Sequence, residues 1–114
     1  MKESSVKERL AKLEQNYINA LRSFGDYLKK PEMRLAVKTD DTIFSHVVHL
    51  AMKIYGIQQA RISEEIGVST AQVGRWGKGR HLPTKHTRPS VLDAISNLVT
   101  SRAHGLESSS RLQK

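Results

Sequence analysis

The sequence predicts an all-α bundle that carries an additional long N-terminal helix. Three observations predict it. The first 30 residues contain no proline, and their apolar positions recur at helical spacing. Between residues 42 and 103, short apolar-periodic stretches are punctuated by glycine, the residue that ends helices most cheaply. The chain has 114 residues, a 5% aromatic share and no cysteine, so its core is mostly aliphatic and no disulfide framework holds it. At roughly 100–200 residues per domain, this length fits one compact domain with an arm.

The first helix spans residues 1–30. Val6, Leu10, Leu13, Tyr17, Ala20, Phe24 and Tyr27 follow one another in alternating steps of four and three, a heptad pattern. Leu21 and Leu28 widen the stripe at its C-terminal end. A helix of ~27 residues runs ~40 Å, which is long for this chain. Pro31 is expected to stop it, because the residue before a proline is pushed out of the helical region. Residues 31–41 read as a linker, with Leu35-Ala36-Val37 as a short extended piece.

The second region, residues 42–103, opens with a helix capped by Asp41 or Thr42. Ile43, Val47, Leu50, Ala51 and Ile54 share one face of it, and Gly56 is its left-handed stop. A helix from about Gln58 to Ile66 ends at Gly67. Another, capped by Ser69, runs through about Trp76. Gly77, Gly79 and Pro83 then break the chain into a basic loop. A last helix starts near Pro89 or Ser90 and turns Val91, Ile95, Leu98 and Val99 inward. Residues 104–114, with three consecutive serines, read as a disordered tail.

Charge separates these regions. The net charge is +8. Residues 66–92 hold Arg75, Lys78, Arg80, Lys85 and Arg88 and no acid at all. A positive field over one surface attracts a polyanion. The apolar runs are too short to span a bilayer. The start, Met1-Lys2-Glu3-Ser4-Ser5, leads into no apolar signal-peptide core. With cysteine absent, a cytoplasmic location is expected.

The stretch from Gln59 to Trp76 carries the functional signal. Ile62 and Ile66 are four apart on one helix, and Val73 and Trp76 are three apart on the next. Ser63 is small where two steeply crossed helices touch. Gly67-Val68-Ser69 forms the turn, with Gly67 free to take a positive φ and Val68 plugging into the core. Two helices joined by such a turn make a helix-turn-helix.

These residues resemble the lambda-repressor-like (Cro-type) helix-turn-helix family over about residues 42–99. The match rests on Ile57, Gln59, Ile62, Ser63, Ile66-Gly67-Val68-Ser69, Val73, Arg75-Trp76, Gly79 and Pro83. Three positions depart from the family. Gln58 stands where a capping Thr or Ser is favoured, Gly74 lies inside the second helix, and Gly77 replaces a helix-favouring residue.

The resemblance implies that the second helix enters the major groove of duplex DNA. Thr70, Ala71, Gln72 and Arg75 are then the base-contacting candidates. Arg75 matches guanine O6 and N7, Gln72 matches adenine, and Ala71 and the Thr70 methyl match a thymine methyl. Gln59, Ser69, Lys78 and Arg80 are the phosphate-contacting candidates. Ser69 and Gln72 also fit a capping box. Trp76 reads as core.

The function expected is sequence-specific binding of double-stranded DNA by a homodimer that regulates transcription. Repression is favoured, because occupying a promoter needs no further apparatus. Val6, Leu10, Leu13 and Tyr17 are the expected dimerisation residues, with the wide end of the stripe packed on its own domain. The alternative is an adaptor or antitoxin-like protein whose N-terminal helix binds a protein partner. A non-specific basic binder is a third option. No enzyme, cofactor or metal site is expected. His46 and His49 lack a third ligand at zinc-like spacing. Gly77-Lys78 lacks the first glycine and the Ser or Thr of a phosphate loop. Adjacent Glu64 and Glu65 do not share a helix face.

Overall fold

The long apolar spacing of the first 30 residues is realised as one helix, α1 (Lys2–Leu28). The computed structural model describes residues 2–110 and, among these, contains six helices and no strand. The fold is therefore all-α. The others are α2 (Pro31–Thr39), α3 (Asp41–Lys53), α4 (Gln59–Ile66), α5 (Thr70–Gly77) and α6 (Arg88–Ser108).

The linker expected over residues 31–41 is instead α2. Pro31 ends one helix and begins the next, because a proline at the first helical position needs no N–H partner and has its φ preset. Glu32 in the first turn and Lys38 in the last complement the helix dipole. Met33, Ala36 and Val37 are spaced to face inward, and Val37 is fully buried. Leu35, read as part of an extended piece, is helical and exposed.

Asp40, and neither Asp41 nor Thr42, caps α3. Its Oδ1 accepts from the backbone N–H groups of Thr42 at 2.9 Å and Ile43 at 3.2 Å. The buried face of α3 is Phe44, Val47, Val48 and Ala51. Ile43 and Leu50 lie at its edge, half-buried, and Ile54 is 58% exposed, contrary to its expected place inside. The face is rotated by one residue because Phe44, the largest fully buried side chain, takes the centre.

α1 and α6 run antiparallel and form the most extensive helix pair. Ile18, Leu21, Phe24 and Leu28 on α1 and Val91, Leu92, Ile95, Val99 and Ala103 on α6 are all core. Gly25 allows the close approach. A Cβ there would lie 3.0 Å from Thr100 Oγ1 and 3.1 Å from Val99 Cγ2. Ser96 Oγ donates to the Gly25 carbonyl at 2.8 Å.

The expected disordered tail is helical as far as Ser108, and residues 111–114 lie outside the described residues. Contacts with α1 explain the extension. Arg22 grips both Glu107 carboxylate oxygens, at 2.9 and 3.2 Å, and holds that carboxyl below the usual carboxylate range. Ser110 bonds Glu14.

Beyond this pairing α1 projects. Val6, Leu10 and Leu13 are 52%, 49% and 63% exposed. Tyr17, the fourth of the expected dimerisation residues, is half-buried. Its hydroxyl donates to the Tyr55 carbonyl at 3.1 Å, which fixes it to its own domain. Among the described residues no helix is long and apolar enough to cross a membrane.

Candidate nucleic-acid interface

Local chemistry builds α4, the turn and α5 residue by residue. Gln58 starts α4 without any side-chain cap, the first departure noted in the sequence. Gly67 ends α4 at φ 84°, a left-handed conformation that costs an L side chain strain. The N–H groups of Gly67 and Val68 both return to the Ser63 carbonyl, at 2.8 and 3.1 Å. Ser69 then caps α5. Its Oγ accepts from Gln72 N at 3.1 Å, and Gln72 Oε1 accepts from Ser69 N at 2.9 Å.

The inner side of this unit is apolar and closed. Ile62 and Val73 are fully buried, and Trp76 is 2% exposed, edge-on to Phe44 with ring centroids 6.0 Å apart. Ser63 is buried where the two helices meet, its Oγ 3.2 Å from Thr70 Oγ1. Gln59 lies across α5 and donates from Nε2 to the Thr70 carbonyl at 2.6 Å. That crossing accounts for Gly74, because a Cβ there would lie 2.6 Å from Gln59 Nε2. Gly77 likewise admits Met52 of α3, whose Cε would be 2.9 Å from an added Cβ.

The outer side carries the candidates. Thr70, Ala71, Gln72 and Arg75 are all exposed, as are Ser69, Lys78 and Arg80. Gln59 is half-buried. The capping box engages the Gln72 carbonyl oxygen, the atom that an adenine N6 would need. The Thr70 hydroxyl is turned to Ser63. Among the described residues, no ion pair is made by Arg75, Lys78 or Arg80.

After α5 the chain turns back on itself. The N–H groups of Lys78 and Arg80 both bond the Arg75 carbonyl, at 3.0 and 2.8 Å, and Gly79 takes a φ of 76°. This return sets Lys78 and Arg80 beside the C-terminal end of α5. A groove of about 690 Å³ runs along this edge, lined by Gln59, Ala71, Gly74, Arg75, Lys78, Arg80 and His81 together with His49 and Lys53 of α3. Four of its lining residues are Lys or Arg, and none is a carboxylate. Lys53 was not singled out in the sequence, because it is 22 residues from Arg75 and only the packing of α3 on α5 brings it here.

One base of the acid-free stretch is removed from the surface. Arg88 is buried, with Nη2 2.8 Å from Asp41 Oδ1, Nη1 donating to the Val37 carbonyl at 3.1 Å and Nε to the Pro83 carbonyl at 3.2 Å. Its guanidinium lies 5.3 Å from the Phe44 ring centroid. It is a strut joining α2, α3, the basic loop and α6. His46 and His49 stack, 6.2 Å apart between ring centroids. Among the described residues no three His, Cys, Asp or Glu side chains converge as a metal site. The chain matches no protein-family model, no curated protein and no solved structure.

Proposed function

We propose that this protein binds duplex DNA sequence-specifically, as a homodimeric regulator of transcription acting by repression, and that α4, the Gly67-Val68-Ser69 turn and α5 are a Cro-type helix-turn-helix. The observation that carries the reading is α5 itself. Its apolar side is locked by Val73 and Trp76, while Arg75 faces solvent without an ion-pair partner among the described residues, on an edge that carries Lys and Arg and no carboxylate. The resemblance of residues 42–99 to the lambda-repressor-like family supports the same reading.

Arg75 is the principal base reader, through guanine O6 and N7. Ala71 meets a thymine methyl, and Gln72 contributes its Nε2 donors while its carbonyl stays in the cap. Lys78, Arg80 and Lys53 hold phosphates, and Gln59 and Ser69 brace the unit beside them. The exposed arm fits a second reading, an adaptor or antitoxin-like protein in which α1 binds a different protein. The two part on oligomeric state. The first needs a dimer of the isolated chain, whereas the second needs a monomer until the partner is supplied.

The test is selection of sites from a random duplex library, followed by affinities for selected and random duplexes at one fixed salt concentration. A ratio of roughly 10³ or more is expected of a specific regulator, and a ratio near one would leave only a non-specific binder. On the selected site, Arg75→Ala should cost about 1–3 kcal/mol and relax one base pair. Lys78→Ala should weaken selected and random duplexes alike and flatten the salt slope by about one unit. Equal behaviour of the two variants would remove the base-reading role of Arg75.

A further inference from the structure

Two apolar features lie exposed among the described residues, at opposite ends of α1. One is the projecting arm with Val6, Leu10 and Leu13. The other is a groove of about 600 Å³ between the C-terminal end of α1, α2 and α3, walled by Phe24, Tyr27, Met33, Ile43, Val47 and Leu50. Tyr27 at its lip is 50% exposed. Exposed apolar patches of this kind mark interaction sites more often than chance placement does.

We propose that each fills the other across a two-fold axis. The arm of one copy enters the groove of a second, and the second returns its own arm in the same way. This rests on the homodimer reading above and adds its geometry.

Register argues for it. The heptad stripe is continuous from Val6 to Tyr27, in alternating steps of four and three. Two such helices laid antiparallel about a point between Asn16 and Tyr17 bring Val6 opposite Tyr27 of the other copy and Leu13 opposite Ala20, with Leu10 opposite Ser23 and one residue from Phe24. The groove is the place where this stripe runs between α2 and α3. A second copy of α1 carries the same spacing in the reverse direction, and a symmetric pair satisfies both ends at once.

Charge argues for it as well. Over residues 6–13 the arm has three bases, Lys7, Arg9 and Lys12, against one acid, Glu8. The groove lining contains one carboxylate, Glu32, and no Lys or Arg. An acidic helix from another protein would meet Glu32 with like charge, which costs affinity.

The absence of cysteine makes the test clean. Val6 and Tyr27 lie on one continuous helix, about 31 Å apart at 1.5 Å per residue. A disulfide requires Cα atoms within about 7 Å, so one between these positions can form only between copies. Both positions are exposed, so substitution leaves the core intact. The full chain carrying Val6→Cys and Tyr27→Cys together should give a covalent dimer on mild oxidation, whereas each single variant should give little.

Ready cross-linking of Val6→Cys alone would mean arms paired end to end, and that of Tyr27→Cys alone would mean grooves face to face. Either result overturns the exchange. So does a dimer by light scattering that no variant cross-links. The DNA selection above is read separately, so specific DNA binding without the cross-link would discard this geometry and keep the regulator.

Discussion

The arm of α1 and the helix α5 both present side chains to solvent, with opposite chemistry. The arm exposes Val6, Leu10 and Leu13. In α5, Val73 and Trp76 are buried while Thr70, Ala71, Gln72 and Arg75 are exposed. Both helices are amphipathic by pattern. What differs is whether neighbouring elements reach the apolar side. α5 has α3 on one side and α4 on the other along its eight residues. α1 outruns α6, which ends at Ser108 near the middle of α1, with Ser110 just beyond it bonding Glu14. A periodic stripe therefore specifies a face, and the length of the opposing element decides whether that face is core or surface.

The comparison breaks most severely at Trp76. Trp76→Ala removes the side chain on which α5 meets Phe44, and should cost about 3–5 kcal/mol in chemical denaturation. A loss under 1 kcal/mol would mean that α5 is held by something other than its buried side.

A smaller effect sharpens it at Gly74. Replacing a helical glycine with alanine ordinarily gains about 1 kcal/mol. Here the new Cβ displaces the Gln59 amide from Thr70, which loses a hydrogen bond of about the same worth. Gly74→Ala alone should then be near neutral, and in a Gln59→Ala background it should stabilise by about 1 kcal/mol. A double-mutant cycle with no coupling between the two would show that Gln59 does not account for the glycine.

The smallest stability effect belongs to the arm. Leu13→Ser should change the stability of the monomer by no more than about 0.5 kcal/mol, as surface substitutions do. Sedimentation should nevertheless show a weakened dimer. A large loss of stability in dilute monomer would place Leu13 in the core of its own chain.

Much of the α4–α5 unit was legible because its signals are local. Gly67, Ser69, Gln72 and the spacing of Val73 and Trp76 act within a turn or two of chain. The positions that misled were decided at long range. Arg88 reads as one base among five until Val37, 51 residues away, and Asp41 claim it. Gly105 and the serines after it read as tail, yet Arg22 holds Glu107 and keeps the helix wound. Pro31 was legible as a boundary and misread as to its kind, since proline stops one helix as readily as it starts another. Lys53 gave no signal in the sequence, because a lysine in the last turn of a helix is ordinary.

The antiparallel pairing of α1 with α6 joins the beginning of the described chain to its end, and that has a consequence for the order of assembly. The Ser96–Gly25 bond spans 71 positions. Closing a flexible loop of that length costs about 4 kcal/mol of chain entropy before any contact rewards it. The helices from α3 to α5 contact one another over far shorter separations and can assemble first. During synthesis α1 is made before α6, with four helices between them. Ile18, Leu21, Phe24 and Leu28 therefore wait for their partner until α6 has been made. Their protection from hydrogen exchange should appear last in refolding, together with that of α6.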